Sequence, residues 1–297
     1  MALIPGRFVD AVCAIGEADE QNKLQARATG FIYNYHQPDG EAYWVYLVTN
    51  RHVFEGRPNL AVRLHEPKDK SAPVFLIPLL EKRRPCWTGH PDPSVDLGVL
   101  QLRAGALRAQ GLEGVGFHSN RDVMFSEEAA DRGVFEGDGV FALGFPMGLA
   151  GVSRNAVMVR GGVISLIQPW LNRQYETFLV DAQTYPGNSG GPVVTRPDCS
   201  ACEGSTYHGR AALIGVVCAS LAYRDLALSA QTMKPVFHHE ENSGLTIVVG
   251  TDAIQQVILL DQEKRRKREL RAQDRIFPSV PPSRVVQVPV TEKVRGK

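Results

Sequence analysis

From its first residues to about residue 250 the chain is cut into short apolar runs with turn-forming residues between them. FVDAVCAIG, ATGFIYNY, YWVYLVTN, LAVRL, PVFLIPLL, DLGVLQL, GVFALGF, AVMVRGGVISLI, ETFLVDA, PVVT, AALIGVVCAS and LTIVVG are rich in Val, Ile, Leu, Phe and Tyr. Gly, Pro, Asn or Asp separates many of them. Many short strands with turn signals between them specify an all-β sandwich or barrel, and few long helical patterns compete here. The strand pattern is weakest in SNRDVMFSEEAADRGVF, residues 119–135. The connection between two β units is placed there, which leaves residues 1–118 as the first unit and 136–250 as the second.

After residue 250 the character changes. TDAIQQVILLDQEKRRKRELRAQDR has helix-forming composition with no Gly or Pro and predicts a helix over 251–275. Asp252 is placed to cap its N-terminus, with Gln255 three residues on, as in a capping box. Ile254, Val257 and Ile258 give an apolar stripe for docking on the β body. The following turns are strongly charged and are expected to leave it. Residues 276–297, rich in proline, are too sparse to build a core and read as an extended tail. No internal repeat is present.

The 297 residues carry a net charge of +1, which argues against a chain-wide electrostatic role on nucleic acid or an anionic membrane. No stretch approaches the apolar length of a membrane span, and the N-terminus lacks the pattern of a secretory signal. The five cysteines are odd in number and mostly scattered. The expectation is a cytoplasmic protein with reduced thiols and no cofactor.

Within DAQTYPGNSGGPVV, residues 186–192 form a tight Gly/Pro turn that carries Ser189. A hydroxyl is a poor nucleophile unless the chain also supplies a base, a group that orients the base, and an oxyanion site. Most of the eight histidines sit in polar, loop-like surroundings. These are His36, His65, His90, His118, His208, His238 and His239, and they read as surface or loop residues. His52 differs, because it directly follows an apolar strand in YWVYLVTNRHVFEG and would stand rigidly at a barrel rim. In HPDPSVDLGVLQL, Asp92 lies between prolines and reads as solvated. Asp96 heads an apolar strand, where it can accept the imidazole Nδ1–H. Taken alone, each residue reads as a strand-end or turn residue.

Together, TNRHV, DLGVL and GNSGGP resemble the three catalytic segments of chymotrypsin-fold (trypsin-like) serine peptidases. The resemblance is closest to the bacterial HtrA/Deg-type protease domain, and a bacterial origin suits it. ALGFPMGLAG followed by GGVIS, and LIGVVCAS, resemble the strands before the nucleophile and beside the specificity pocket. The likeness covers roughly residues 8–250. It implies two six-stranded antiparallel β-barrels with a C-terminal helix and tail. It also implies a His52–Asp96–Ser189 triad working through an acyl-enzyme, and an oxyanion hole from the Gly187 and Ser189 amides. The pocket walls would be Gln183, Thr184, Tyr185 and Pro186 on one side, and Val217, Cys218, Ala219 and Ser220 on the other. Gln183 stands where trypsins carry an acid, so small or medium apolar side chains are expected before the cut. Asn188 stands where the digestive members carry an aspartate that pairs with a newly cut N-terminus. Activation by N-terminal cleavage is therefore not expected. Residues 251–297 are too few for the PDZ domain that usually follows in this group, and none is expected.

Other features compete. Cys199 and Cys202 have CxxC spacing and read as part of an ordinary hairpin loop or, with His208 nearby, as half of a zinc site or a redox pair; Cys86 with His90 form a second loose cluster, and the spacing matches no standard zinc pattern. The basic run EKRRKREL (263–270) is a solvated helix face or a handle for a regulatory protein partner. RVVQVPV reads as a free end or as a strand added to a partner's sheet edge. LAYRDLALSAQTMKPVFHHEENSG (221–244) is long for a link between two strands and reads as a lid or a surface loop. The expected activity is serine endopeptidase on protein or peptide substrates, with a regulated effector protease of a bacterial system as its refinement. The alternative is a catalytically silent, protease-like peptide-binding module.

Overall fold

The computed structural model describes residues 3–21, 23–37, 42–64, 74–108, 112, 114–151, 155–197 and 210–276. Cys199, Cys202, His208 and the RVVQVPV tail lie outside these residues. A short helix, α1 (Gly6–Asp10), leads into β1 (Val12–Ala18), β2 (Leu24–His36) and β3 (Tyr43–Thr49). One helical turn, α2 (Arg51–Phe54), follows, and then β4 (Asn59–Arg63) and β5 (Val74–Pro78). A small hairpin of β6 (Leu80–Glu81) and β7 (Arg84–Pro85) precedes β8 (Thr88–Gly89) and β9 (Gly98–Leu102). After α3 (Ala104–Arg108) comes β10 (Phe117–His118).

These strands form an eight-stranded sheet in the order β5-β4-β1-β2-β3-β9-β8, with β10 added in parallel on β2. The expectation of a six-stranded closed barrel is corrected for this unit. Its outer strands β5 and β8 do not pair with each other, so the sheet is curled but open among the described residues. Pro78 ends β5 and Pro85 lies in β7. Neither brings an N–H to a ladder, and the chain turns back on itself there as β6–β7.

The link to the second unit carries α4 (Ser126–Asp131). β11 (Gly139–Gly144), β12 (Met158–Leu166), α5 (Gln168–Leu171), β13 (Thr177–Asp181) and β14 (Pro192–Thr195) follow. β15 (Leu213–Leu228), β16 (Pro235–Gly250) and a long helix, α6 (Thr251–Ile276), complete the described chain. Here the barrel closes with six antiparallel strands, in the order β11-β12-β13-β16-β15-β14. The stretch 221–244 is not a loop. β15 and β16 stay paired from Gly215↔Gly250 out to Leu228↔Pro235, a ribbon that leaves the barrel and turns at residues 229–234. LAYRDLAL facing PVFHHEEN offers Val, Leu, Phe and Tyr to a ladder, and this holds the ribbon in strand form.

Period-two alternation places the core. In β3, Val45 and Leu47 point into the first unit with Ile15, Val62 and Leu100, while Tyr46 and Val48 point the other way. In β16, Val248 lies inside the second barrel and Val249 outside it. The outward residues of both units meet in one shared core, with Phe31, Val48, Val99, Leu143, Phe145, Val194 and Val216. Ala253, Ile254, Val257 and Ile258 of α6 seal its rim, as the apolar stripe predicts. The capping expectation fails: Asp252 lies inside the first turn of α6, and its carboxylate accepts the Ser126 N–H and Oγ–H, both at 3.0 Å. Farther along, the buried Asp261 carboxylate accepts Thr88 Oγ1 at 2.9 Å and pairs with Arg265 at 2.6 Å. The helix thus begins on the second unit and crosses to the first.

Candidate active site

His52 is the second residue of α2, at the end of β3, and Val53 and Phe54 beside it are buried. These two apolar anchors fix the turn and leave the imidazole half exposed. Asp96 stands two residues before β9, the neighbour of β3, so ladder pairing brings the two together. The Asp96 carboxylate takes two bonds from one residue: the His52 main-chain N–H at 3.0 Å on Oδ1, and His52 Nδ1 at 2.5 Å on Oδ2. With Nδ1 donating, Nε2 is left as the free ring nitrogen. Burial pushes the Asp96 carboxyl up. The hydrogen bonds and charge of His52, with the Arg51 backbone, outweigh it and hold the group below the usual carboxylate range.

Neighbours fix this pair. Asn50 is fully buried and donates its Nδ2–H to the Asp96 carbonyl at 2.7 Å. Arg51 Nη2 donates to the carbonyls of His90 and Asp92, which ties down the loop that carries Asp96. That loop also leans on α6, because His90 meets Gln256 at 3.0 Å.

Ser189 lies half-buried in a turn whose main chain is held at four successive carbonyls. Met147 N–H donates to Pro186 O at 2.6 Å, and Thr29 Oγ1 donates to Gly187 O at 2.6 Å. Gly191 N–H donates to Asn188 O, and Thr29 N–H donates to Ser189 O, both at 2.9 Å. In a planar trans peptide the carbonyl and the following N–H point in opposite directions, so holding the carbonyls aims the amides. The Asn188 amide is used within the turn, on Tyr185 O, and the Gly190 amide on Val217 O of β15. The Gly187 and Ser189 amides donate to no protein acceptor among the described residues. Gly187 sits at φ +101°, where any Cβ would run into Phe145 O. Gly190 sits at φ +83° against Thr49 Oγ1 and Thr29 O. Both positions require glycine.

Asn188 is fully buried. Its Oδ1 accepts the Tyr185 N–H at 3.1 Å, and its Nδ2 has no partner among the described residues. Among the described residues no hydrogen bond joins Ser189 Oγ to His52, and catalytic bonds of this kind often tighten only when substrate is bound.

The expected pocket residues have different settings. Gln183 is exposed and accepts from Tyr185 OH at 3.5 Å. Thr184 is buried, bonded to Thr246 at 2.8 Å and, through its carbonyl, to Asn242. Arg160 lies 5.3 Å over the Tyr185 ring. Val217 is buried, while Ala219 and Ser220 stand exposed at the root of the ribbon. Cys218 lies against Asp96. Burial, then the Asp96 charge, push its thiol up to about 11, which leaves it unreactive.

Two residues of the site escape a reading of the sequence. Thr29 looks like any strand threonine, and its contact with Gly187 spans 158 positions. Asn50 reads only as a strand end.

Comparison with known proteins matches residues 28–198 to the trypsin-like peptidase domain, a span that contains His52, Asp96 and Ser189. A probable periplasmic serine endoprotease of DegP-like type from Chlamydia pneumoniae is 29% identical over 176 residues, 59% of this chain and 27% of that protein. One with the same description from Pseudomonas savastanoi pv. phaseolicola is 25% identical over 180 residues, 60% of this chain and 28% of that protein. The chain thus spans about a quarter of the length of the curated relatives it matches. Among solved structures, the serine endoprotease from Yersinia pestis aligns with a TM-score of 0.46 at 18% identity, over 88% of this chain and 66% of that one. The MamO protease domain from Magnetospirillum magneticum aligns with a TM-score of 0.44 at 16% identity, over 84% and 95%.

Proposed function

The chain belongs to the trypsin-like peptidase domain family, and we propose that it is a serine endopeptidase whose triad is His52, Asp96 and Ser189. The observation that carries this reading is the double grip of Asp96 on His52, which sets the Nδ1–H tautomer and leaves Nε2 to act as base. Ser189 Oγ attacks the scissile carbonyl as His52 Nε2 takes its proton. The tetrahedral oxyanion is received by the Gly187 and Ser189 amides. His52 returns the proton to the departing amine and leaves an acyl-enzyme on Ser189. Water, deprotonated by the same nitrogen, then releases the acid. Each oxyanion donor of this kind stabilises the transition state by about 2.7–4 kcal/mol.

A fluorophosphonate probe tests the assignment, because it reacts only with an activated serine. Wild type labels, and Ser189→Ala and His52→Ala do not. Absence of labelling in wild type, with or without cell extract, would replace this reading with the silent peptide-binding module.

The same reading extends to regulation. α6 braces the loop that carries Asp96 through Gln256–His90, Asp261–Thr88 and Arg265 on the Cys86 carbonyl. A protein gripping the basic stretch Lys264–Arg268 would act on that loop. Charge reversal at Lys264, Arg266 and Arg268 is expected to abolish any acceleration of labelling by extract while sparing the basal rate. Cys13, Cys86 and Cys218 carry free thiols, which supports a reducing compartment for this chain, although the matched relatives are named periplasmic.

A further inference from the structure

The tip of the β6–β7 hairpin carries residues that its backbone disfavours. Leu80–Glu81 pairs with Arg84–Pro85, and only Lys82 and Arg83 join them. Both joining residues sit in the left-handed region, at φ +48° and +64°. A two-residue turn of this hand is ordinarily built from Asn and Gly, because a longer side chain there crowds its own backbone. This chain instead places two long cationic side chains at the tip, both exposed. Backbone strain of this kind clusters at ligand clamps and switches.

The hairpin has a charged neighbour. α6 passes beside its root, where Asp261 accepts Thr88 Oγ1 at 2.9 Å and Arg265 Nη2 donates to Cys86 O at 3.4 Å. Going up the helix from Asp261 to Arg265 therefore goes back along the chain from Thr88 to Cys86. The next turn brings Arg268 to the side of Arg84, with Lys264 one turn earlier on the same flank. Arg265 and Lys267 are answered by Asp261 and Glu263, both at 2.6 Å. Lys82, Arg83, Arg84, Lys264, Arg266 and Arg268 are exposed, and none has a carboxylate partner among the described residues. In a chain of net charge +1, this is a concentrated basic face built from two elements.

We propose that the β6–β7 tip and the Lys264–Arg268 flank of α6 form one clamp for an extended acidic segment of a partner protein. This rests on the regulatory reading above and supplies the partner's chemistry: Asp and Glu residues with apolar side chains among them. The arginines can take carboxylates bidentately, and Leu80, exposed beside the tip, offers an apolar contact. Two observations favour this occupant. Single-stranded nucleic acid binds on exposed aromatic platforms, but Trp87, the aromatic residue next to the hairpin root, is stacked on Phe54 at 5.3 Å. A lipid surface takes a helix with an apolar outer face, and α6 from Glu263 to Glu269 carries only charged residues. Because α6 also holds Thr88 and Cys86, an occupied clamp bears on the loop that carries Asp96.

The test uses the full chain carrying Ser189→Ala and a fluorescent, unstructured peptide of Asp and Glu with interspersed Leu, followed by anisotropy. The deciding variant is Lys82→Asn with Arg83→Gly, which gives the turn the residues it prefers. Its urea midpoint is expected to rise, while the peptide binds at least ~10-fold more weakly. Weaker binding by a more stable protein cannot be a folding defect. Charge reversal at Lys264 and Arg268 is expected to weaken binding by a similar factor. Arg132→Gln with Arg173→Gln removes the same charge elsewhere on the surface and is expected to change binding by less than about twofold. Binding by the tip variant within about twofold of the parent overturns the proposal, and so does an equal loss in the Arg132 and Arg173 control. Tighter binding of single-stranded or duplex DNA, or of phosphatidylserine vesicles, overturns the choice of partner. Peptide that binds the clamp without changing fluorophosphonate labelling of the Ser189-containing form counts against the regulatory reading alone. Wild type that binds peptide but never labels counts against the endopeptidase reading alone.

Discussion

Thr29→Val replaces a hydroxyl with a methyl of nearly the same shape in a fully buried site. The hydroxyl does two things: it donates to Gly187 O at 2.6 Å and accepts the Phe145 N–H at 3.0 Å. Without it, the Phe145 N–H is left unpaired inside the junction core, at about 1–3 kcal/mol, and the bond to Gly187 O is lost, at about 0.5–1.5 kcal/mol. Urea unfolding is therefore expected to show a loss of about 1.5–4.5 kcal/mol. The kinetic effect is separate. Gly187 O belongs to the peptide between the two proposed oxyanion amides, and releasing it lets that turn rotate. If one donor is lost, kcat falls by about 10²–10³ with little change in KM, because the interaction is made in the transition state. Thr29→Ser keeps the hydroxyl and is expected to restore most of kcat while recovering less of the packing. A Thr29→Val protein that unfolds early yet keeps kcat within about twofold would refute the claim that the held carbonyls aim the oxyanion amides.

Three further outcomes follow from the same contacts. Asp96→Asn keeps the shape but frees the imidazole to take the wrong tautomer, so kcat is expected to drop by about 10⁴ in a peptide-cleavage assay while thermal unfolding stays cooperative. His36 and His118 contact each other at 2.8 Å beside Arg121 and Asp122, with Tyr43 packed on both rings. Burial first, with Arg121, lowers both below the ordinary 6.5, so the folded protein binds fewer protons than the unfolded chain and stability falls as pH drops below 6.5. Urea midpoints taken downward from pH 8 should show that decline in wild type and a shallower one in His118→Gln. Asp261→Ala strands Thr88 and releases Arg265, so a loss of about 2–3 kcal/mol and earlier proteolysis within α6 are expected.

What was legible followed local pattern. The apolar alternation of YWVYLVTN marked a strand end, and His52 stands there. The Gly/Pro turn of PGNSGGP marked a forced backbone, and Gly187 and Gly190 carry its two left-handed residues. What was not legible depended on distant partners. Nothing in HPDPSVDLGVLQL says that Asn50 will hold the Asp96 carbonyl. Closure of a sheet is likewise a global property. The strands of both units look alike in sequence, yet one set closes and the other leaves β5 and β8 as outer strands that do not meet. The ribbon was misread because loop length was judged without pairing. LAYRDLAL and PVFHHEEN are unremarkable apart, and only their register shows them to be one sheet. Asp252 went the same way: a cap by position, it was claimed by Ser126 from another part of the chain.

The four held carbonyls have donors of separate origin, and this bears on how such a site is kept in order. Met147 comes from the second unit, Thr29 from the first, and Gly191 from the turn itself. Asn188, which is uncharged, adds only the local bond from the Tyr185 N–H. In the proposed mechanism the Gly187 and Ser189 amides are aimed from the second unit, through Pro186 O and Asn188 O, while the docking of the two β units brings in Thr29 to hold the peptide between them, and no ion pair with a freed N-terminus enters. Phe31, Val48, Leu143 and Phe145, which make that docking, belong to the working geometry although none of them touches substrate. A device that loosened the junction would disarm Ser189 without moving His52 or Asp96, since those two are joined wholly within the first unit. α6 is the element that spans both units, from Asp252 on Ser126 to Asp261 on Thr88. Control applied to that helix would therefore reach the oxyanion turn through the junction, as well as the histidine through its loop.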